Sequence, residues 1–458
     1  MAKMYYKNPS YVEGGEGQKW LPVIEDSGNA VETVNVLVMA SDNSIVNTRV
    51  TIGDETKVVS STDGVFFNVP YGVEYTVMFE AIEGFSTPAP IIRVAGVPFR
   101  TIIGNYAVLP ITTVILEQSI ADPSTRVYRK IDGGAIEAIR ANSHRYVGTY
   151  DESSYTMRLK QLDDENSNFY ADGSDASVDV KIKDVFMKLP QFFYKAEPWR
   201  NDTSWAVSFA YGTKPDDTWK EWKGDDLIGA FKGSVADNKL YSVSGAVVNY
   251  PPDGVDLRDC VKNRGVSFHL TTWEQHCMMA MLLFAWYCNT DSQAIVGTGA
   301  QGTHNTGQTV ILGMTDTEAF IQGNIQAINF WGLEDWWGNN YELLDNVTMS
   351  NGVFTINQLD GMVRIINFDF GSDNSFYKGV HSMVIGDNLD MFPTKLINNS
   401  TLYYADYVYL YRSASKNGIA RTKTDNHSSN GVVYLSMNDV GGYSTGRLTY
   451  KGKFLIEE

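Results

Sequence analysis

The chain has 458 residues, with 37 Lys and Arg against 54 Asp and Glu, for a net charge of −17. An acidic body of this kind repels nucleic-acid phosphates and anionic membrane surfaces, so neither is an expected partner. Its 43% hydrophobic and 20% charged residues exclude a disordered chain, and the length asks for two or three domains rather than one core.

Residues 1–30 carry Gly, Glu and aromatic side chains without periodicity and are expected to form an attachment arm. The start, "MAKMYYKNPSYVEGGEG", lacks the apolar run of a secretory leader. Three cysteines, Cys260, Cys277 and Cys288, are too few for a disulfide framework. The expectation is a chain folded in a reducing cytoplasm.

From Val31 the pattern becomes strand-like. "VNVLVMA", "TRVTIGD", "GVFFNVP", "EYTVMFEAI" and "IIRVAG" are short β-branched runs separated by turn residues. They predict an antiparallel, Ig-like β-sandwich over 31–118. Within it Asp63-Gly64 and Pro70-Tyr71-Gly72 mark the turns around one strand. Such modules serve as spacers or docking units, and no acid pair or histidine sits inside this one. "SIADPSTRVYRK" (119–130) reads as a linker opening the last region, 119–458, which gives the chain an α+β character.

In that region "GGAIEAIRANSHRYVG" (133–148) predicts a short helix with Ile136 and Ile139 inward, and "DVFMKLPQFFYKA" (184–196) and "SWAVSFAYG" (204–212) predict strands. "TTWEQHCMMAMLLFAWYCN" (271–289) is the clear helix, with Thr271 and Glu274 at capping-box spacing. Its apolar residues cover nearly the whole circumference, so burial on most sides follows, and the stretch is too short to span a bilayer. After it the chain is rich in strands and loops.

Little in the sequence points to catalysis. His269, His276 and His304 have no metal-ligand spacing, and His276, on the buried helix, reads as a satisfied core histidine. Cys277 and Cys288 lie on one helix and read as small core residues rather than a redox pair. "GTGAQGTHNTG" (297–307) lacks the Lys-Ser/Thr of a phosphate loop and reads as a long surface loop. "DGSDASVD" (172–179) offers carboxylates without EF-hand spacing. No catalytic residue, metal or cofactor is expected.

The densest feature is "INFWGLEDWWGNNYELLDNV" (328–347), with three of the ten tryptophans. It resembles the "G-N-v-W-E-W" core strand of the formylglycine-generating-enzyme type of C-type lectin fold. "NGVVYLSMNDVGGYSTGRLTYKG" (430–452) resembles that fold's closing strands, finishing at Gly446-Arg447-Leu448. With "AIRANSHRYVG", "DVFMKLPQFFYKAE", "KPDDTWKEW", "HCMMAMLLFAWYCNTDSQ" and "LGMTDT", these blocks resemble proteins of gut Bacteroidales phages and prophages, some relatives of which are targets of diversity-generating retroelements. The resemblance covers roughly 125–455. It implies a ligand-display scaffold with binding residues on the last strands and their loops.

Within that scaffold Trp336, Trp337, Gly338, Gly446 and Arg447 are expected to be structural core. Two adjacent tryptophans cannot both point inward along one strand, so one is expected in the core and the other under an insertion. A sugar-binding platform is the alternative. The fold's oxidase branch needs a late cysteine pair, and no cysteine follows Cys288. Calcium lectins carry Glu-Pro-Asn or Gln-Pro-Asp with Trp-Asn-Asp, none of which occurs.

Over 401–450, Tyr, Ser, Asn, Gly and Asp supply 26 of 50 residues. Binding loops use this mixture: Tyr for rigid amphipathic contact, Ser, Asn and Gly for adaptable hydrogen bonding. Mutagenesis of adenines in Asn codons yields the same palette. β-rich surfaces and turns also favour these residues. In "YADYVYLYRSAS" (404–415), Tyr407, Tyr409 and Tyr411 fall on one face, followed by Arg412. Lys423, Asp425, Asn426 and His427 lie in an exposed polar loop, and Ser436, Asn438 and Tyr443 in the next. These eleven residues are the expected ligand-binding set. Seven Lys or Arg against five acids over 401–458 depart from the acidity of the body.

The expectation is a non-catalytic adhesin of a phage tail or virion surface that binds a host cell-surface glycan or protein. Its arm and sandwich would dock to other virion proteins, and copies, as a homo-oligomer, would multiply affinity. The alternatives are a structural virion protein binding only other subunits and a divergent enzyme of the same fold.

Overall fold

The computed structural model describes residues 5–7, 20–22, 30–40, 46–60, 63–82, 85–108, 110–299, 303–322, 325–350, 352–358, 361–369, 375–398, 401–411, 415–420, 432–433, 435–436 and 444–457. The chain divides into two compact units, Met1–Leu109 and Pro110–Glu458, and is strand-rich with few helices.

The first unit holds two four-stranded sheets. One runs in the order Val65–Pro70, Val31–Ala40, Phe99–Val108, Phe85–Ser86; the other runs Glu55–Ser60, Asn47–Ile52, Glu74–Phe79, Ile91–Val94. Alternation drives both. Val34, Val36 and Val38 of the first sheet share one core with Val50, Val77 and Phe79 of the second. The sheets are not wholly antiparallel, as the sequence pattern had suggested: Phe99–Val108 pairs in parallel with Val31–Ala40. A parallel pair needs a long crossover, and here the whole intervening stretch through the second sheet serves as one. Gly104 is obligatory in that strand, because a Cβ there would lie 2.3 Å from the Phe79 ring. Glu32 is fully buried and accepts from Tyr75 Oη (2.9 Å), Gly96 N (2.8 Å) and Arg100 Nε (2.6 Å). Burial works against its charge, but these donors outweigh it and hold the carboxyl below its ordinary pKa.

The boundary falls nine residues earlier than the expected 118, because Ile111–Glu117 belongs to the second unit, where it pairs with Val127–Asp132 and Asn201–Tyr211. The expected linker at 119–130 is likewise structural: Val127 opens a strand, and Arg126 is fully buried, donating to Gln118 O (2.8 Å) and His381 O (2.9 Å).

Three large sheets build the second unit. A five-stranded antiparallel sheet runs Val127–Asp132, Ile111–Glu117, Asn201–Tyr211, Phe192–Trp199, Lys220–Trp222. A seven-stranded sheet runs Phe268–Leu270, Leu448–Lys451, Asp226–Gly229, Asp184–Lys188, His144–Asp151, Thr156–Gln161, Lys453–Glu457. Leu448–Lys451 and Lys453–Glu457 are separated only by Gly452 yet lie near opposite ends of this sheet, so the sheet curls until its ends meet. Tyr450 Oη pins the junction by donating to Lys453 O (2.8 Å). The third, nine-stranded sheet carries Glu342–Ser350, Ser375–Ile385, Met391–Ile397 and Tyr407–Tyr411.

The Trp273–Tyr287 helix lies in a core shared by the five- and nine-stranded sheets, and every residue from Trp273 to Ala285 is buried. Its capping box forms one residue later than the expected pair. Thr272 Oγ1 accepts from Gln275 N (3.2 Å), and Gln275 Oε1 accepts from Thr272 N (2.9 Å). Thr271 is occupied instead with the backbone of Arg447 and Asp345. Cys288 ends the helix in the left-handed region (φ 51°). The short helix is present as Ala135–Ala141, with Ile136 and Ile139 buried. In the 172–179 stretch Asp172 and Asp175 accept from Ser174 N and Ser177 N, and Asp179 takes Tyr170 and Lys183, so these carboxylates are engaged locally.

Candidate functional site

The Trp-rich stretch is not a core strand. Leu333–Glu334 is a two-residue strand, and residues 335–340 form an irregular turn with positive φ at Asp335 (50°), Gly338 (87°) and Asn339 (61°). Alternation ends where the strand ends, so both adjacent tryptophans are buried. Trp336 stacks on Phe330 (5.6 Å, 16°), and its Nε1 donates to His276 Nδ1 (3.1 Å). His276 is thereby a satisfied core histidine. Trp337 Nε1 donates to Gly297 O (2.9 Å) beneath the Gly-rich loop. With 2% and 0% of their surface exposed, neither offers a ring face to a sugar.

An irregular buried segment leaves backbone groups without sheet partners, and these must be satisfied elsewhere. Two fully buried arginines do this. Arg447 donates to the carbonyls of Gly229 (2.8 Å), Ala230 (2.9 Å) and Glu334 (2.7 Å), and its Nε stands 3.4 Å from the buried Glu342 carboxylate. Arg145 donates to Gly332 O (2.7 Å) and to the side chains of Asn329 and Thr309 (3.1 Å each). Lys232, also buried, donates to the carbonyls of Gly338 and Asn340. Burial pulls both guanidinium pKa values down to about 10, which leaves them charged at neutral pH. Gly446, beside Leu343, has no room for a Cβ, which would lie 2.4 Å from Leu270 Cδ2.

His304, Glu334 and Asp335 are the one group of three candidate metal ligands within reach of one another among the described residues. Much of this donor set is already engaged within the protein. Glu334 already accepts from Gly307 N (2.6 Å), Thr309 N (2.6 Å) and Thr309 Oγ1 (2.8 Å), and Asp335 from Asn339 Nδ2 (2.9 Å). Burial, with Asp335 beside it, pushes the Glu334 carboxyl up to about 7. His304 Nε2 stands 2.8 Å from Asp335 Oδ2. The Gly-rich stretch is therefore more than a surface loop: it is pinned to the core through His304, Thr306 and Gly307.

Burial opposes the His304 charge, but Asp335 outweighs it and raises the imidazole pKa above its ordinary 6.5. A raised folded pKa means that the stabilisation is complete below 6.5 and is lost as pH climbs through the higher folded value. His304→Asn should cost about 2 kcal/mol at pH 6 and clearly less at pH 8.5. Thermal melts at the two pH values check this, and an equal cost at both would remove the ion pair from the account.

Cys260 and Cys277 are buried, and burial pushes both thiols up, away from nucleophilic thiolate character. Cys277 Sγ accepts from Met391 N (3.3 Å) as a packed core group.

The expected binding face is placed in part. Tyr407–Tyr411 pairs antiparallel with Ser375–Ile385 and parallel with Leu435–Ser436. Val408 is fully buried, whereas Tyr407 and Tyr409 are half-buried on the opposite face. Tyr407 packs against Tyr341. Tyr411 and Ser436 are placed by their backbone. Arg412, Lys423, Asp425, Asn426, His427, Asn438 and Tyr443 lie outside the described residues.

The flanks of the 421–431 stretch are fixed. Ala420 pairs with Ser436, Val432 N donates to Ser292 Oγ (3.0 Å), and Val433 N donates to the buried Asp406 (2.8 Å). Beneath the face, Arg126 lies over the rings of Tyr404 (4.3 Å) and Tyr403 (5.1 Å). Sequence reasoning missed Arg126, Arg145 and Lys232. The one available signal was a charged residue inside a strand of apolar neighbours, as in "HRYVG".

The architecture defines a mostly-β α+β protein of two units, the second organised around a buried ion network. No protein-family model matches the chain, and no curated protein matches it.

Proposed function

We propose that this chain is a non-catalytic recognition protein of a phage tail or virion surface. In this reading the second unit is an elaborated C-type lectin fold, and the first an Ig-like sandwich that docks it, with the N-terminal arm, to other virion proteins. One observation carries the recognition role: Tyr407 and Tyr409 stand half-buried on the face of their strand opposite the buried Val408, and the chain on either side of the Ser- and Asn-containing 421–431 stretch is anchored. Rigid support with adaptable polar loops is the arrangement that binding surfaces use. The lectin-fold assignment is supported by the locking of the Trp-rich segment to the closing strand through Arg447 and by the meeting of the ends of the seven-stranded sheet. The ligand is a glycan or protein on the surface of a host cell, and several copies on one particle raise avidity.

A fragment spanning 110–458 should fold, bind Bacteroidales cells saturably and fail to assemble onto particles. Flow cytometry with the labelled fragment checks this. A folded fragment that binds nothing would move recognition into the sandwich or end the proposal. A second reading, a structural subunit that contacts only other subunits, draws on the sheet edge at Val363–Asn367, where Val363 and Ile365 are 57% and 63% exposed. Particle assembly that survives with adsorption lost would separate the two.

A further inference from the structure

The register of the nine-stranded sheet carries the tyrosine face beyond its own strand. Ser375–Ile385 pairs antiparallel with Tyr407–Tyr411, and the directly opposed pairs include Tyr377 with Tyr409, Ser375 with Tyr411 and Gly379 with Tyr407. Directly opposed residues share one face of a sheet, so Tyr377 and Ser375 hold positions on the face of the three tyrosines. On the other flank Leu435–Ser436 pairs in parallel with the same strand and sets Ser436 beside Tyr409.

The residue types at these positions narrow the ligand. Each is Tyr, Ser or Gly, and none carries a charge. Lys378, the next residue after Tyr377, lies opposite the fully buried Val408 and so on the other face. An uncharged surface gives an ionic partner no field to follow. Tyr407 packs against the buried Tyr341, so aromatic positions run in a row from Tyr341 through Tyr407 to the Tyr409 and Tyr377 pair.

Size narrows it further. Neighbouring strands stand about 4.8 Å apart and advance about 3.4 Å per residue, so the three strands and the positions from 407 to 411 frame roughly 10 by 14 Å. A standard protein interface buries about 800 Å² per partner, several times that area. A short run of pyranose rings fits the patch in both size and chemistry. The C–H face of a pyranose packs against phenol rings, and its hydroxyls pair with Tyr and Ser hydroxyls, which both donate and accept.

We infer that the tyrosine face is a carbohydrate platform built on two strands, with Tyr377 and Ser375 as further binding residues, and that its ligand is a neutral oligosaccharide. The inference rests on the recognition role proposed above and adds to it a ligand class and two residues.

The test is a binding titration of the labelled full chain on intact Bacteroidales cells, untreated or oxidised with periodate, which cleaves the vicinal diols of sugars. Binding should be lost after periodate. On untreated cells it should be the same in low and high salt, because a neutral ligand has no charge to screen. Tyr377→Ala should weaken it at least about tenfold at an unchanged melting temperature. Phe320→Ala, at a ring 69% exposed outside this sheet, should not weaken it. If Tyr377→Ala does not fold, Ser375→Glu carries the same test, since a charge on the platform should weaken binding as much. Binding that survives periodate, that falls steeply with salt, or that is unchanged in the folded variant overturns the inference and leaves the recognition role standing. A parent chain that binds no cells overturns both.

Discussion

Arg447→Met is expected to cost about 3–5 kcal/mol, the range for breaking a buried ion pair by removing one partner. The loss has two sources. The carbonyls of Gly229, Ala230 and Glu334 lose their common donor, and the fully buried Glu342 loses the guanidinium 3.4 Å away. A domain is stable by only about 5–15 kcal/mol, so the variant should melt far below the parent or be recovered unfolded. Adding Glu342→Leu should restore part of the loss, because the buried carboxylate is removed together with the guanidinium that faced it. Thermal and urea denaturation of the two variants check this. A single variant that melts like the parent would mean that Arg447 does not hold the Trp-rich segment.

Trp336→Ala and Trp337→Ala should each cost about 3–5 kcal/mol as large-to-small core substitutions. Each also strips a partner from a buried group, His276 Nδ1 in one case and the carbonyl of Gly297 in the other. The two differ in what they release. Trp336→Ala opens the core against Phe330, whereas Trp337→Ala frees the Gly-rich loop at Gly297. Limited proteolysis should therefore cut the Trp337→Ala protein first within 297–307. Variants that keep their melting temperature and lose only ligand binding would restore the sugar-platform reading of these rings.

What the sequence disclosed follows physical range. The strands of the first unit are legible because one side of each sheet is buried and side chains alternate. The Trp273–Tyr287 helix is legible because its cap and its apolar circumference are both local. The domain boundary was not legible. "ITTVILE" reads equally well as the last strand of one unit or the first of the next, and its partner, Asn201–Tyr211, lies about ninety residues away. The parallel pairing of Phe99–Val108 with Val31–Ala40 is hidden for the same reason. Asp335 and Asn339 take positive φ where pattern reasoning continues a strand, and this puts both tryptophans inside. Arg145, Lys232 and Arg126 were missed because charged side chains are usually exposed, and all but one of the carbonyls that justify burying these three, Gln118 O, come from distant segments. Tyr407 and Tyr409 were legible by alternation alone, although half-burial makes them less free than a fully exposed pair.

The central claim is that the tyrosine-bearing surface of the second unit recognises a host-cell ligand. Its most direct test is a cell-binding titration of the full chain carrying Tyr407→Ala and Tyr409→Ala, run beside a thermal melt of the same protein. A central tyrosine hot spot is worth about 2 kcal/mol or more, or roughly thirtyfold in affinity. The half-buried rings should cost the fold only about 1 kcal/mol. The predicted result is therefore a loss of affinity of at least thirtyfold with a melting temperature within a few degrees of the parent. Undiminished cell binding by the folded double variant would contradict the claim.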